Sequence, residues 1–325
     1  MLMRDRPGLF VHRSGLFTTI QDLGRYGHQR YGVSVSGAMD RTALRIGNRL
    51  VGNPDGAASL EVTLQGPELE LTGNAIVAIT GGDLSPTLNG HSIPMWSPVA
   101  AREGDLLRFG RRRRGCRSYV CVSGGIDVPA VFGSRSTDVR AGIGGLGGRR
   151  LVKGDYAFFG KVAGETPGSP SRQLPSSALP MYLAVPVLRV ILGPQAERFS
   201  PIAMELFFNN PYLISADSDR MGFRLDGPPI LHRRPGKLIS DATAAGTIQV
   251  PSDQRPILLM ADCQTTGGYP KIASVIAVDM AQAGQLAPGD RIRFNPIGAE
   301  EALLLCRTER AKLDRLLPPI DPGLP

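Results

Sequence analysis

The chain has 325 residues, of which 42% are hydrophobic and 20% are charged, and it carries a formal net charge of +8. The apolar share excludes a disordered chain, because disordered chains have too few hydrophobic side chains to form a core. The 40 glycines and 27 prolines favour short strands joined by tight turns, since both residues weaken helix interiors.

The basic residues are mostly scattered along the chain, and Arg111–Arg114 is the dense run among them. This run stands between two strand-like segments, which is typical of a solvent-exposed hairpin tip. Aromatic residues make up 6% of the chain, fewer than a nucleic-acid-binding face usually interleaves with its basic side chains. We therefore expect no nucleic-acid partner.

The cysteines and histidines predict neither a metal site nor a disulfide framework. The four cysteines form no CxxC pair, and the four histidines are far apart in the sequence. The first ten residues lack the apolar core of a signal peptide, and no apolar run approaches membrane-spanning length. We expect a cytoplasmic protein with no membrane partner.

The first half alternates strand-like segments with one helical segment. Two short strands are predicted around a turn within Leu9–Ile20. A helix follows, with Ser36 as its predicted N-cap and Gly52-Asn53-Pro54 as its stop. Beyond it, period-two alternation from Leu60 to Leu64 begins a series of strands that reaches Val122.

A short pattern recurs three times and supports a mainly β plan. A Gly-Asp pair is followed by Phe four residues after the Asp, at Gly104-Asp105, Gly154-Asp155 and Gly289-Asp290. Gly-Asp is a common turn dipeptide, but the constant Phe offset favours related β units.

The composition suggests two β subdomains. Residues 164–180 are rich in Pro, Ser and Gly and are typical of a linker or a long surface loop. We predict a first subdomain over 1–163 and a second over 181–296. Residues 297–325 are predicted to form a C-terminal amphipathic helix and tail, with acidic residues near the helix start and basic residues later.

The strongest candidate for chemistry follows a buried-looking strand in the second half. It offers hydrogen-bonding side chains, a glycine pair that lets a ligand approach the backbone, and an aromatic ring beside a lysine. Its residues are Gln264, Thr265, Thr266, Gly267, Gly268, Tyr269 and Lys271. A tight hairpin loop with solvated polar residues is the alternative interpretation.

Two further candidates lie in the first half. Arg135 stands in a loop of small and polar residues and has the donor fork that grips a carboxylate or phosphate, with Asp138 placed to orient it. The alternative is an Arg-Asp pair that holds the loop in place. Asp40 lies at the start of the predicted helix, where a helix N-terminus attracts anions, and plain capping is the alternative there.

One further motif is excluded, and another is disfavoured. The glycine-rich stretch 142–148 lacks both the GK[ST] ending of a P-loop and the strand–loop–helix context of a dinucleotide fold. Cys263 could act as a nucleophile only beside a histidine, and His232 is the sole histidine of the second half.

Seven motifs, in order along nearly the whole chain, resemble one family. They are Thr18–Arg25, Gly32–Asp40, Gly124–Pro129, Gly133–Asp138, Ser218–Gly222, Gly246–Pro251 and Gln264–Lys271. Together they resemble the biotin-dependent carboxyltransferase family, whose members are also called the C subunit of 5-oxoprolinase or allophanate hydrolase subunit 2.

The resemblance implies a mainly β fold of cyclophilin-like β-barrel subdomains with a few short helices. It implies a KipI-like B subunit and a third 5-oxoprolinase subunit as partners, with ATP used through the complex and a small-molecule amide as substrate. In this interpretation Asp40, Arg135 and Lys271 are catalytic. Substrate would contact Asp138, Gln249, Gln264, Thr265, Thr266, Gly267, Gly268 and Tyr269.

The chain departs from the family pattern at two positions. Asp241 stands where a glutamate is expected, and Cys263 stands where Arg or Gly is expected. We predict a subunit of an ATP-dependent 5-oxoprolinase that opens the 5-oxoproline lactam to glutamate. The alternatives are the carboxyltransferase component of a biotin-dependent urea carboxylase and a non-catalytic, KipA-like regulatory subunit.

Overall fold

The computed structural model describes residues 6–162, 172–233 and 238–320. These divide into two compact units. Unit 1 comprises the described residues of Met1–Arg25, Ser36–Met181 and Lys312–Pro325, and unit 2 those of Tyr26–Val35 and Tyr182–Ala311. Half of the predicted linker, residues 164–171, lies outside the described residues, and the rest carries a single 3-10 turn at Ser176–Ala178.

The described part of unit 1 contains strands β1–β11 and helix α1. Their bounds are β1 Gly8–Arg13, β2 Phe17–Gln21, α1 Arg41–Leu50, β3 Ser59–Thr63, β4 Glu68–Leu71, β5 Ala75–Asp83, β6 Thr87–Leu88, β7 His91–Ser92, β8 Pro98–Ala101, β9 Leu106–Arg108, β10 Arg114–Val122 and β11 Tyr156–Phe158.

These strands form two sheets. One sheet has six strands in the order β11-β1-β4-β9-β6-β7, and the other has five in the order β2-β3-β10-β5-β8. Alternate side chains of both sheets point into one hydrophobic core, which includes Leu9, Ile20, Leu60, Leu71, Ile79, Leu107 and Val120. The predicted alternation from Leu60 to Leu64 coincides with β3 as far as Thr63, with Leu60 and Val62 in this core, whereas Leu64 follows the strand with φ +58°.

Helix α1 begins after Asp40, whose carboxylate accepts the N–H of Ala43 at 2.9 Å. The prediction of Ser36 as the N-cap was wrong, because Ser36 has φ +56° and lies four residues before the cap. The predicted stop is confirmed: the helix ends at Leu50, and Gly52 follows with φ +81°.

The described part of unit 2 contains strands β12–β20 and helices α2–α4. Their bounds are β12 Val187–Leu192, α2 Pro201–Asn209, β13 Tyr212–Ile214, β14 Gly222–Asp226, β15 Asp241–Ala242, β16 Thr247–Gln249, β17 Ile257–Leu259, β18 Thr266–Gly267, β19 Lys271–Val275, α3 Met280–Ala283, β20 Arg291–Pro296 and α4 Ala299–Leu316, which runs on into unit 1.

Seven strands of unit 2 close into a barrel in the order β12-β19-β16-β17-β14-β13-β20. The closing pair is parallel, with Val187 of β12 opposite Arg293 of β20, while the other pairs are antiparallel. Beside the barrel, β15 and β18 form a separate two-stranded ladder. The predicted mainly β architecture is confirmed, as is the C-terminal helix.

The three repeated Gly-Asp turns fold in the same way. Each glycine has φ between +87° and +91°. Each turn exchanges two backbone hydrogen bonds with one strand residue: the glycine N–H donates to the carbonyl of that residue, and the N–H of that residue donates to the carbonyl of the Asp. Each Asp carboxylate accepts the backbone N–H three residues earlier, at 2.7–2.9 Å. The strand partners are Leu71 for Gly104-Asp105, Val11 for Gly154-Asp155 and Ile214 for Gly289-Asp290.

The arginine run does not form a hairpin tip, because β9 and β10 belong to different sheets. Residues 111–113 form an exposed connection between the sheets, and Arg114 begins β10. The run is thus a solvated loop, as its charge predicts, but it is not the turn between paired strands that was expected.

Candidate active site

A buried lysine in unit 2 faces an exposed carboxylate. Lys271 begins β19, and its side chain is 7% exposed. Its ammonium donates to Asp241 Oδ2 at 2.8 Å and to the carbonyl of Ala242 at 2.7 Å, its two acceptors in the described part of the chain. The hydrogen bond and charge of Lys271 lower the pKa of Asp241, whose side chain is 64% exposed.

The two-residue ladder of β15 and β18 places Asp241 beside the glycine pair. Asp241 lies opposite Gly267, and Ala242 lies opposite Thr266. A Cβ on Gly267 would stand 2.7 Å from Gln249 Nε2, so this position requires glycine for the amide to pack against the ladder. The ladder therefore brings the exposed carboxylate, Gly267 and the Gln249 amide close together.

Two carboxamides lie next to the lysine. Gln249 is buried and pairs with Lys271 across β16 and β19, which puts the two side chains on the same face of the barrel wall. Gln264 Nε2 donates to Gln249 Oε1 at 3.5 Å, and Gln249 Nε2 donates to the carbonyl of Tyr269 at 3.5 Å. Both contacts are long, so these amides retain capacity to pair with another amide.

The loop that carries these residues is anchored at its start by a buried ion pair. Arg220 donates to both carboxylate oxygens of Asp262, at 2.8 and 3.0 Å, and both side chains are nearly enclosed. Thr243 ties the loop to the ladder: its hydroxyl donates to the carbonyl of Gln264 at 2.6 Å, and its N–H donates to that of Thr265. The geometry of the amides thus depends on contacts outside the glycine motif.

The remaining residues of the motif face outward. Tyr269 is half exposed, and Thr266 is exposed. Gly268 lies close to the backbone of Leu238, where a Cβ would stand 3.2 Å from the carbonyl oxygen. Cys263 is buried, and the imidazole of His232, the base a cysteine nucleophile would need, donates to the carbonyl of Pro251 at 3.0 Å.

In unit 1 a buried aspartate organises the predicted arginine loop. Asp22 Oδ1 accepts from the N–H of Gly24 at 2.8 Å and from the hydroxyls of Ser134 and Ser136. Its other oxygen accepts the N–H of Arg135 at 2.6 Å. A single carboxylate therefore fixes the backbone conformation of residues 134–136.

Arg135 and Asp138 do not form an ion pair with each other among the described contacts. The guanidinium of Arg135 donates to the carbonyl of Val128 at 2.8 Å, lies 3.8 Å from Asp127 and is partly exposed. Asp138 is buried, and its carboxylate accepts the N–H groups of Arg140 and Ala141. Asp138 thus closes a turn, while Arg135 keeps donors at the surface.

Asp40 lies in the interior of unit 1. Besides capping α1, its N–H donates to the hydroxyl of Tyr119, which donates in turn to Glu61 at 2.7 Å. Burial, together with Glu61 and Asp40, raises the pKa of Tyr119 well above its ordinary value. This arrangement holds a helix start in place, which is the capping interpretation left open by the sequence.

The glycine-rich stretch 142–148 lines an open groove in unit 1 with a volume of about 760 Å³. Pro129, Val131, Tyr156 and Phe158 form its apolar wall. Two of the loop's N–H groups are used internally: Gly145 donates to the carbonyl of Arg135, and Gly148 to that of Gly144. The loop is followed by turns and then by strand β11, without the helix that a phosphate-binding loop requires.

The predicted site residues divide between the two units. Unit 2 brings together Gln249, Gln264, Thr265, Thr266, Gly267, Gly268, Tyr269 and Lys271. Asp40, Arg135 and Asp138 belong to unit 1, where each makes its hydrogen bonds with different partners. Sequence reasoning missed the roles of Asp22, Arg220 and Thr243. Asp22 and Arg220 lie inside two of the seven family motifs, and this position is the signal from which their roles could have been found.

A family model described as "Carboxyltransferase domain, subdomain A and B" matches residues 31–296. The chain belongs to this family. The C subunit of 5-oxoprolinase from Escherichia coli (strain K12) is 37% identical over 308 residues, covering 95% of this chain and 97% of that protein. The resemblance predicted from the seven motifs is confirmed.

Larger relatives contain a similar segment. The urea amidolyase of Saccharomyces cerevisiae is 33% identical over 93% of this chain but only 17% of that protein. The crystal structure of the K. lactis urea amidolyase superimposes with a TM-score of 0.90 and 32% identity, over 98% of this chain and 20% of that chain. This chain therefore spans about a fifth of the urea amidolyases that it matches.

Neither a membrane span nor a metal cluster is present in residues 6–162, 172–233 and 238–320. No helix among them is long and apolar enough to cross a membrane. No group of three or more His, Cys, Asp or Glu side chains in that part of the chain is placed to hold a metal ion.

Proposed function

We propose that this chain is the C subunit of a 5-oxoprolinase, a hydrolase complex that opens the 5-oxoproline lactam to glutamate with ATP. The observation that carries the proposal is the end-to-end match: the Escherichia coli protein is covered over 97% of its length. A match of that extent supports the same role in the complex, whereas the match to urea amidolyase covers one segment of a far longer protein.

The unit 2 cluster suits a cyclic amide. Gln249 and Gln264 carry both donors and acceptors, so together they can pair with the N–H and C=O edges of a lactam. Lys271 supplies a buried positive charge next to them. Gly267 leaves room for the Gln249 amide beside the ladder, and Gly268 packs against the backbone of Leu238, so both glycines position the neighbouring groups of the site.

The glycine-rich loop at 142–148 does not fit the phosphates of ATP. In this loop the N–H of Gly145 donates to the carbonyl of Arg135 and that of Gly148 to the carbonyl of Gly144, and the loop precedes a strand. We therefore assign the nucleotide to another subunit. We propose a KipI-like B subunit and a third 5-oxoprolinase subunit as the partners, as the family resemblance implies.

A second candidate is the carboxyltransferase component of a biotin-dependent urea carboxylase. The superposition on the K. lactis urea amidolyase supports it, because the fold of this chain suits either reaction. In that case the amide substrate is urea and the transferred group arrives on biotin, which a separate carrier must supply. A regulatory, KipA-like subunit without activity is a third candidate.

Reconstitution separates these candidates. The chain is purified with the proteins encoded beside it and supplied with ATP and either 5-oxoproline or urea. Glutamate release that requires this chain, ATP and 5-oxoproline supports the proposal. Urea-dependent consumption of carboxybiotin, with no glutamate from 5-oxoproline, favours the second candidate, and absence of both reactions favours the regulatory one.

A further inference from the structure

The two partners of the Lys271–Asp241 ion pair are buried to very different degrees. The lysine side chain is 7% exposed and the aspartate side chain 64%. The ammonium would pay a large desolvation penalty without an anion, whereas the carboxylate is already mostly hydrated. Loss of the ion pair would therefore destabilise the buried lysine far more than the hydrated aspartate.

Few contacts also hold Asp241 in place. It belongs to a strand of two residues that pairs only with β18 among the described strands. Its second carboxylate oxygen accepts the N–H of its neighbour Ala242 at 2.7 Å, a local contact that moves with it. Ile239 and Ser240, which precede it, are exposed, and Ile239 is 94% exposed. Few contacts oppose a displacement of this carboxylate into water.

The position left by Asp241 would accept a specific kind of group. A neutral ligand would leave the ammonium buried without a counterion, so the exchange is favourable only with an anion. A carboxylate reproduces both the charge and the oxygen geometry of the group that departs. Gln249 is adjacent on the same barrel face and would meet an amide attached to that carboxylate.

We propose that Asp241 is an exchangeable counterion of Lys271, which a ligand carboxylate displaces, so that the site selects anionic amides over neutral ones. The identity of the ligand rests on the proposed function, while the exchange itself rests on the contact between these two side chains. 5-Oxoproline carries such a carboxylate next to its lactam. Urea and 5-oxoprolinamide do not.

Chemical rescue tests the exchange without any catalytic assay. Thermal unfolding is measured for the wild-type chain, for Asp241→Asn and for the double variant Asp241→Asn/Lys271→Met. Each is measured in sodium formate and in sodium chloride at equal ionic strength, so that general screening is the same in both salts. We expect formate to raise the melting temperature of Asp241→Asn by a few degrees relative to chloride. Wild type, which has its own carboxylate, and the double variant, which has no ammonium, should respond equally to the two salts.

The outcomes are distinct. Equal responses of Asp241→Asn and the double variant to formate would overturn the exchange. If Asp241→Asn does not fold in chloride, its refolding yield gives the same comparison: recovery in formate supports the exchange, and failure in both salts while the double variant folds overturns it.

A ligand comparison then separates this inference from the proposed function. Asp241→Asn should bind 5-oxoproline roughly tenfold more tightly than wild type, because the competing carboxylate is gone, and should bind 5-oxoprolinamide no better. Formate rescue without binding of 5-oxoproline would support the exchange and count against 5-oxoproline as the substrate. Tighter binding of the neutral amide would overturn the predicted selectivity.

Discussion

The backbone N–H of Arg135 donates a 2.6 Å hydrogen bond to Asp22, a residue 113 positions earlier in the chain. The same carboxylate accepts from the hydroxyls of Ser134 and Ser136 and is itself buried. One side chain therefore satisfies the donors of a loop that has no regular secondary structure. The conformation around Arg135 depends on a residue that no local sequence pattern connects with it.

Replacing this carboxylate should destabilise unit 1. Asp22→Asn puts an N–H₂ group where one oxygen accepts hydrogen bonds, so buried donors lose their acceptor. We expect the free energy of unfolding to fall by about 2–4 kcal/mol, measured by chemical denaturation. Asp253→Asn, at an exposed position, is the control and should change it by less than about 0.5 kcal/mol. Equal effects of the two variants would contradict the structural role of Asp22.

The glycine-rich loop offers a matched pair of substitutions. Gly142 and Gly144 have φ values of +68° and +72°, so alanine is strained at both. A Cβ at Gly142 has no neighbour within 4 Å, whereas one at Gly144 would collide with the carbonyl oxygen of Ser136. Gly142→Ala should cost about 1–2 kcal/mol of unfolding free energy, and Gly144→Ala at least about 3 kcal/mol. Denaturation curves that coincide would show that the loop does not pack against Ser136.

A similar comparison probes the amides of the candidate site. A Cβ on Gly267 would stand 2.7 Å from Gln249 Nε2, the far end of a flexible side chain, so the amide should move while the fold persists. Gly267→Ala should therefore lower kcat/KM of the reconstituted complex by roughly 10–100-fold with little change in melting temperature. Gly298→Ala, where a Cβ meets no atom within 4 Å, is the control. Unchanged kinetics in Gly267→Ala would show that the Gln249 amide does not contribute to the reaction.

The Lys271–Asp241 pair also predicts a pH dependence. Because the pKa of Asp241 is lowered, the pair stabilises the folded state above the ordinary carboxyl pKa of about 3.9. That contribution is lost as the pH falls through the lower, folded-state value. In Lys271→Met the titration midpoint of the Asp241 carboxyl, followed by NMR, should rise to the ordinary range. An unmoved Asp241 midpoint would contradict the pairing.

Local patterns in the sequence predicted the local structure well. The three Gly-Asp turns could be found because glycine, aspartate and the following strand act within a few residues of each other. The end of α1 and the C-terminal helix were found from stop signals and charge order. Ser36 was mistaken for the N-cap because Ser and Asp are both good caps, and the backbone of Ser36 adopts φ +56° instead.

Contacts between distant segments could not be predicted in this way. The barrel of unit 2 closes through a parallel pairing of β12 with β20, about a hundred residues later, and no periodicity specifies that partner. The two-residue strand β15 is too short to leave a pattern, so the partnership of Asp241 with Lys271 emerged only from the fold. Motif order indicated the family, but the placement of the carboxylate, lysine and amides required the structure.

We propose that Lys271 contacts the substrate of a 5-oxoprolinase, and the kinetics of one variant test this contact. In the reconstituted complex, with ATP and 5-oxoproline, Lys271→Met should lower kcat/KM for glutamate release by roughly 10–100-fold, mainly through KM, because it removes a charged hydrogen bond to the bound substrate. Lys153→Met, at an exposed lysine of unit 1, should behave as wild type. A Lys271→Met complex with wild-type kcat/KM would contradict a contact between Lys271 and the substrate.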